Sequence, residues 1–151
     1  METKRWFLRC ITILVVLGFM VGCATVSVQT KNIYPEPRSD QALVYFYRES
    51  KFVGSFISYN INVNDELVGA VANGTYFFVF LDPGTHTITA KTETKESKTM
   101  TVEAGETYYI CCDVEMGFFA GRPELTIVNE AEGKSELDHL TYAIKPKEEE
   151  K

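Results

Sequence analysis

Residues 61–90, INVNDELVGAVANGTYFFVFLDPGTHTITA, decide the fold. The Asn-Gly pair at 73–74 is a strong hairpin signal, and Asp-Pro-Gly at 82–84 is a second turn, because proline presets φ and glycine accepts a positive φ. Residues 75–80, between these turns, are all aromatic or β-branched. Over 85–91, His86, Ile88 and Ala90 alternate with polar residues, which is typical of a half-exposed strand.

Similar patterns lie on both sides of this stretch. Residues 42–48, ALVYFYR, are dense in aromatic and β-branched residues, and residues 56–63, FISYNINV, alternate between apolar and polar. Further strands are predicted at 67–71, 95–102, 107–116 and 123–129, while residues 130–142 are compatible with one short C-terminal helix that Gly133 weakens. Strands at intervals of about ten residues are typical of an antiparallel sandwich or barrel. We expect an all-β protein, an antiparallel β-sandwich of about 7–8 strands.

The order of strands and turns resembles the bacterial lipoprotein family catalogued as domain of unknown function 2846. The resemblance rests on the first strand (42–48), the hairpin at 61–69, the Leu-Asp-Pro-Gly-Thr-His corner at 81–86 and the Ala-Gly-Glu-Thr-Tyr-Tyr segment at 104–109. It covers roughly residues 41–130 and implies a fold and an envelope location, but no activity. The corner at 81–88 also resembles the PEGA and carboxypeptidase-regulatory-like sandwiches, which are mostly accessory modules.

The N-terminus has the layout of a secretory signal peptide. Basic residues at positions 4, 5 and 9 precede an apolar run over 11–21, which is short for a membrane-spanning helix. Residues 20–24, MVGCA, resemble a bacterial lipobox, in which the peptidase cuts before the cysteine that carries diacylglycerol. We therefore expect residues 1–22 to be a lipoprotein signal peptide and Cys23 to carry diacylglycerol and an N-acyl chain. An uncleaved anchor is the alternative, because residues 10–28 contain no charge.

The sequence divides into a leader, a tether, one domain and a tail. Residues 23–40 are predicted to be the lipidated cysteine and a flexible tether, because prolines and polar residues dominate the segment. Residues 41–144 are predicted to be the β-sandwich domain, and residues 145–151, KPKEEEK, a charged disordered tail. Cys23 is followed directly by Ala and Thr and not by Asp, a pattern that resembles the outer-membrane sorting signal of enteric bacteria. We expect a location in the bacterial cell envelope, on the outer membrane facing the periplasm.

Charge and histidine content limit the function classes. The net charge of −6 at pH 7 disfavours nucleic acid as a partner, since nucleic-acid binding needs clustered Lys and Arg. His86 follows Asp82 closely, and we expect its ring to pack or hydrogen-bond at the corner rather than act as a base. His139 is predicted to lie on the surface. Two distant histidines predict no metal site, and we expect neither a metal nor a cofactor beyond the acyl groups.

The adjacent cysteines and the acidic residues beside them are read as strand residues. Side chains of neighbours on a strand point to opposite faces, so Cys111 is not expected to form a disulfide with Cys112. One of them should fill the core and the other should face outward, with a reactive or metal-binding pair as the alternative. Asp113 and Glu115 alternate with apolar residues and are predicted to lie on a solvated face or to pair with a basic partner.

Two glycine-bounded aromatic stretches, 51–56 and 117–121, predict a contact surface that includes Phe52, Phe56, Phe118 and Phe119. The alternative is that these aromatics fold back and cap the sandwich. We expect a non-enzymatic interaction or accessory module, held on the membrane by its lipid anchor and bound to an envelope protein. The rival hypotheses are a carrier of a small apolar ligand between the sheets, and a hydrolase that uses His86 with a nearby Ser or Thr.

Overall fold

The computed structural model describes residues 26–29, 31–92, 94–116 and 121–144. Two β-sheets and one short helix form the domain. The elements are β1 (Ser27–Val28), β2 (Ala42–Arg48), β3 (Tyr59–Val63), β4 (Glu66–Val71), β5 (Thr75–Leu81), β6 (Gly84–Lys91), β7 (Lys95–Val102), β8 (Thr107–Met116), β9 (Gly121–Val128), α1 (Glu130–Leu137) and β10 (Thr141–Ile144).

One sheet has six strands in the order β1-β10-β5-β2-β8-β9, and the other has four in the order β4-β3-β6-β7. Most neighbours are antiparallel, but β2 pairs with β8 and β5 pairs with β10 in parallel. The predicted all-β sandwich is therefore confirmed. The predicted strand number is too low, because β1 and β10 are too short, with 2 and 4 residues, to show an alternating pattern.

Local sequence signals account for the turns and the helix start. Gly74 adopts φ +71° in the predicted Asn-Gly turn, and Asn64 and Asp65 both have positive φ in the turn between β3 and β4. Asn129 caps α1, since its side-chain oxygen accepts a hydrogen bond of 3.0 Å from the Glu132 backbone N–H. The helix ends at Leu137, earlier than predicted, because the chain turns there into β10. Among the described residues, no helix has the length and apolarity needed to cross a bilayer.

The main core lies between the two sheets. Alternate residues of β2 point into it, and the β2 side chains between them point to the outer face of the six-stranded sheet, so all seven residues of this strand are buried. Phe46 of β2 and Phe77 of β5 stack at 5.1 Å between ring centroids. Apolar side chains fill this space, including Val44, Phe46, Tyr59, Ile61, Phe77, Ile88, Ile110, Cys112 and Leu125.

A second core covers the outer face of the six-stranded sheet. Tyr45 and Tyr109 stack there with 5.4 Å between their ring centroids, and Leu137 of α1 is buried in the same cluster. Gly133 of α1 lies so close to this face that a Cβ atom built on it would come within 2.2 Å of the Tyr109 ring. The helix therefore shields the aromatic outer face from water.

Residues 27–29 and 31–41 also cover this face and form a segment that we call the strap. After β1, the Asn32 side-chain amide donates to the Leu140 carbonyl oxygen over 2.9 Å. The Tyr34 ring stacks on Tyr76 at 5.5 Å between centroids, and the Tyr34 hydroxyl donates to the Leu137 carbonyl oxygen over 3.1 Å. The sequence predicts a flexible tether over residues 23–40, but its described part is instead packed on the domain, because buried aromatics of the sheet give it partners that its local composition does not reveal.

Candidate interaction site

Among the described residues, a short loop between β2 and β3 carries the most exposed aromatic side chains. Phe52 and Phe56 are 95% and 99% exposed, and Val53 between them is 59% exposed. The loop is tightly turned, since the Ile57 backbone N–H donates to the Gly54 carbonyl oxygen over 2.9 Å. Gly54 adopts φ +73°, which a side chain would disfavour. We call residues 51–56 the aromatic loop.

Buried Arg48 fixes the aromatic loop from beneath. This last residue of β2 is only 1% exposed, and its guanidinium donates to the Gly54 carbonyl oxygen over 2.7 Å and to the Ile57 carbonyl oxygen. Burial lowers the pKa of Arg48, and the nearby Tyr59 and Asp113 partly offset that effect. The guanidinium still remains charged, because the ordinary pKa of arginine lies far above neutral pH. Because the charged guanidinium bonds the carbonyl oxygens of both Gly54 and Ile57, it holds the loop in one defined conformation.

An ion-paired cluster fastens the start of the loop to β8. The Lys51 ammonium group bonds the Asp113 carboxylate and lies 3.3 Å from a Glu49 carboxylate oxygen. Asp113 also accepts a hydrogen bond of 2.7 Å from the Val114 backbone N–H. Burial alone would raise the pKa of Asp113, but the hydrogen bonds from Lys51 and Val114 outweigh it and hold this pKa below its usual range. Asp113 thus has the basic partner that the sequence left open.

Gly121, the first residue of β9, lies close to the residue that follows the aromatic loop. It leaves no room for a Cβ atom, which would come within 2.4 Å of the Ile57 side chain and 2.6 Å of Val114. Met116 pairs with Gly121 in the sheet. Phe118 and Phe119 themselves, like Cys23, lie outside the described residues, and their roles stay predictions.

Sequence reasoning offered Phe52 and Phe56 as contact-surface or capping residues and missed the arginine beneath them. The only available signal was a charged residue at the end of a strand whose other six residues are apolar or aromatic. Such a residue is read as the first solvated position after a core strand. The structure instead closes a loop over it, and the loop carbonyls replace water as hydrogen-bond acceptors.

His86, the third residue of β6, bonds back to the corner that precedes this strand. Its Nε2 donates to the Asp82 carbonyl oxygen over 2.8 Å, and its Nδ1 accepts from the Asn64 side-chain amide over 3.0 Å. The neighbouring hydroxyl of Thr85 is bonded across the strand pair to Thr101 at 3.0 Å. Both ring nitrogens are thus occupied by groups that define the turn, which is the structural role expected from the sequence.

The two strand cysteines diverge as predicted. Cys112 is completely buried between the sheets, Cys111 is half-buried on the outer face beside Tyr47, and both are free thiols. Burial, with a smaller contribution from Glu49, raises the pKa of Cys111 to about 11, so its thiol is protonated near neutral pH. His139 is exposed, and the part of the chain described in the structure holds no cluster of three His, Cys, Asp or Glu side chains suited to a metal.

The comparison with known families decides the assignment. The sequence model of the family described as "Protein of unknown function (DUF2846)" matches residues 38–131. The chain belongs to this family. An uncharacterized protein of Haemophilus influenzae is also similar to it, with 28% identity over 163 residues that include 92% of this chain and 96% of that protein. The predicted membership of the family with domain of unknown function 2846 is thereby confirmed.

The DUF2846 domain also has a groove on the outer face of its six-stranded sheet. The groove has a volume of about 510 Å³, its floor includes Tyr45 and Tyr109, and its walls are strap residues 34–37 and α1. Burial raises the pKa of Tyr45 to about 12, and it also raises that of Tyr109, so both hydroxyls stay protonated at neutral pH. The groove therefore offers aromatic surface and hydrogen-bond donors together.

Proposed function

We propose that this protein is a lipid-anchored component of the bacterial cell envelope that binds another envelope protein and catalyses no reaction. The anchor is acylated Cys23, and the domain faces the periplasm from the outer membrane. The lipobox at 20–24 and the resemblance to a lipoprotein family support the address. The observation that supports the binding role is the pair of exposed phenylalanines on the aromatic loop, which a buried arginine holds in place.

The energetics favour a binding role for this loop. Burying one phenylalanine side chain contributes about 1.5–3 kcal/mol, so Phe52 and Phe56 together offer about 3–6 kcal/mol to a partner. Association normally loses part of such a gain to the ordering of loops. Because Arg48 and the Lys51–Asp113 pair already fix the loop, little of the gain is lost in that way. Aromatic anchors of this kind often dominate the binding energy of protein interfaces.

The state of His86 supports a non-enzymatic role. A general base needs a free nitrogen within reach of a nucleophile, and both nitrogens of this ring are held at the turn by Asn64 and the Asp82 carbonyl oxygen. The hydrolase hypothesis therefore gains no support from this histidine.

The anchor is tested by intact mass and membrane fractionation. Wild-type protein from bacterial membranes should carry the mass of its acyl chains and lack residues 1–22. Cys23→Ala should lose both the added mass and the membrane association. A wild-type protein that keeps Met1 and binds membranes without acyl mass would overturn the lipoprotein assignment.

The binding role is tested by photo-crosslinking in living cells. A photoreactive amino acid at position 52 or 56 should capture one and the same envelope protein. The matched control is position 127, because Ile127 is an exposed apolar residue on an edge strand, at 43% exposure. The double variant Phe52→Ser/Phe56→Ser should abolish co-purification of that protein without lowering the melting temperature. Equal capture at all three positions, or unchanged co-purification, would refute the role of the loop.

The outer-face groove supports a second candidate function, a carrier of a small apolar ligand. The space between the sheets is filled with side chains, so such a ligand would occupy the groove above Tyr45 and Tyr109. Native mass spectrometry of protein purified without denaturant should then show a bound molecule. Lys134→Trp, at an exposed position of α1 that lines the groove, should fill the groove and release that molecule while the domain stays folded. Absence of added mass and of saturable binding of an apolar fluorescent probe would exclude this function.

A further inference from the structure

The strap determines how far the domain can stand from a lipid anchor at Cys23. The first paired residue that the structure describes is Ser27, which faces Ile144 in the sheet. The Gln29 backbone N–H donates to the Tyr142 carbonyl oxygen over 2.9 Å. A fully extended chain spans at most about 3.5 Å per residue, so the Cα atoms of Cys23 and Ser27 are at most about 14 Å apart. A free tether up to residue 41 would have spanned about 60 Å on the same basis.

The strap is fastened along its length, so this short reach is a property of the folded domain. Asn32 accepts a hydrogen bond of 3.1 Å from the Tyr142 backbone N–H. Ile33 exchanges two hydrogen bonds of 3.0 and 3.1 Å with the hydroxyl of buried Tyr76. Further on, the Arg38 guanidinium lies 3.8 Å above the centre of the Phe80 ring. The attachment point of the domain is therefore residue 27 rather than residue 41.

The sheet edge at this attachment point and the outer face beside it carry exposed apolar side chains. On the edge strand β1, Val28 is 56% exposed. Further along the strap, Ile33 is 37% and Tyr34 48% exposed on the outer face over Tyr76 of β5, and exposed Lys31 lies between them and Val28 in sequence. Tyrosine beside aliphatic residues suits the interface between lipid tails and water, and a lysine there is attracted to anionic headgroups. Outside the aromatic loop, Ile127 on the far strand β9 is the remaining large apolar side chain that is exposed among the described residues.

We infer that the β1 edge with Val28, together with the adjoining strap residues Lys31, Ile33 and Tyr34, lies against the lipid headgroups of the membrane that holds the anchor. This inference rests on the acylation of Cys23 in the proposed function. The sheet is about 24 Å wide from β1 to β9, at about 4.8 Å per strand. A reach of about 14 Å is shorter than this width, so the β1 edge touches the membrane while β9 stands away from it. The domain therefore searches for partners at the membrane surface.

The test uses tryptophan fluorescence in vesicles. The single tryptophan of the chain is Trp6, which the predicted cleavage removes, so Val28→Trp gives the acylated protein one reporter on β1. Ile127→Trp gives a matched reporter on β9. Both proteins are purified from bacterial membranes and placed in vesicles of phosphatidylethanolamine and phosphatidylglycerol, with a fraction of lipids that carry a nitroxide on the headgroup. We expect about a twofold loss of fluorescence for Val28→Trp and little loss for Ile127→Trp, because only β1 lies at headgroup depth.

A linker variant separates the strap from the chemistry of the tryptophan. Ten Gly and Ser residues inserted between Thr25 and Val26 in the Val28→Trp protein should restore its fluorescence to the level of Ile127→Trp. Equal quenching at both positions, or unchanged quenching with the linker, would overturn the placement of the edge. A protein that carries acyl mass and binds vesicles, but whose Val28→Trp is not quenched, refutes this inference and leaves the proposed anchor intact. A protein without acyl mass refutes the proposed anchor itself.

Discussion

The substitution Gly133→Ala sets two effects of opposite sign against each other. In an exposed helix, replacing glycine by alanine stabilises the protein by about 1 kcal/mol. In α1, the added Cβ atom would lie 2.2, 2.4 and 2.5 Å from Cγ, Cδ1 and Cβ of Tyr109. Ordinary contact between carbon atoms is about 3.5–4.0 Å, so helix and ring must separate by more than about 1 Å. Tyr109 is buried and stacked on Tyr45, so moving its ring away from α1 would disrupt that stacking.

The clash should outweigh the gain in helix propensity. Overpacking a well-packed core costs about 1–3 kcal/mol. Moving α1 outward also exposes part of Leu137, whose full burial contributes about 1.5–3 kcal/mol. After subtracting the propensity gain, we expect the free energy of unfolding to fall by about 2 kcal/mol. For a domain of this size, the melting temperature should fall by about 10 °C.

Thermal unfolding followed by circular dichroism measures this effect on the soluble domain. The matched control is Ser135→Ala, an exposed position of the same helix, which should change the melting temperature little. In a Tyr109→Ala background, Gly133→Ala should no longer destabilise, because the clashing ring is gone. A melting temperature that rises by about 4–8 °C in Gly133→Ala would show that propensity decides, and would refute the tight contact between α1 and the sheet.

Three further predictions concern Arg48, Cys111 and Asp113. Arg48→Met should lower the free energy of unfolding by about 2–3 kcal/mol and speed hydrogen exchange of the Ile57 amide, with Arg48→Lys intermediate; unchanged exchange would contradict the anchoring role. The pKa of Cys111, about 11, lies above its ordinary value of 9.0, so the stability that this thiol contributes is present below pH 9 and lost as the pH rises toward 11. Between pH 8 and pH 10.5, urea unfolding should therefore show a larger fall in the free energy of unfolding for wild type than for Cys111→Ser. The pKa of Asp113 is lowered, so its contribution is present above about pH 4 and lost below; Asp113→Asn should be less stable than wild type by about 0.5–1 kcal/mol at pH 7 and equal to it at pH 2.5, and a difference that persists in acid would exclude the Lys51 pair as the cause.

The sequence by itself determined the strands and their turns. Period-two alternation and the signals at 73–74 and 82–84 act over a few residues, so they placed β2, β7 and β8 at the observed bounds and the other long strands within three residues. The sequence did not decide the exposure of Phe52 and Phe56, because glycine-bounded aromatics between two strands can also fold back over the sandwich. Short elements such as β1 carry too few residues to produce such a pattern.

Only the tertiary structure decided what covers the outer face of the sheet and what lies beneath the aromatic loop. The strap looks like a tether in the sequence, because its few apolar residues stand singly among polar residues and prolines. Its partners Tyr76 and Leu137 are distant in sequence. Arg48 looks like the solvated end of a strand until the Gly54 carbonyl oxygen closes over it. Gly133 looks like a weak point in a helix until Tyr109 occupies the space of its missing side chain. In each case the contact forms only when the chain folds, so the residues next to it in sequence do not reveal the partner.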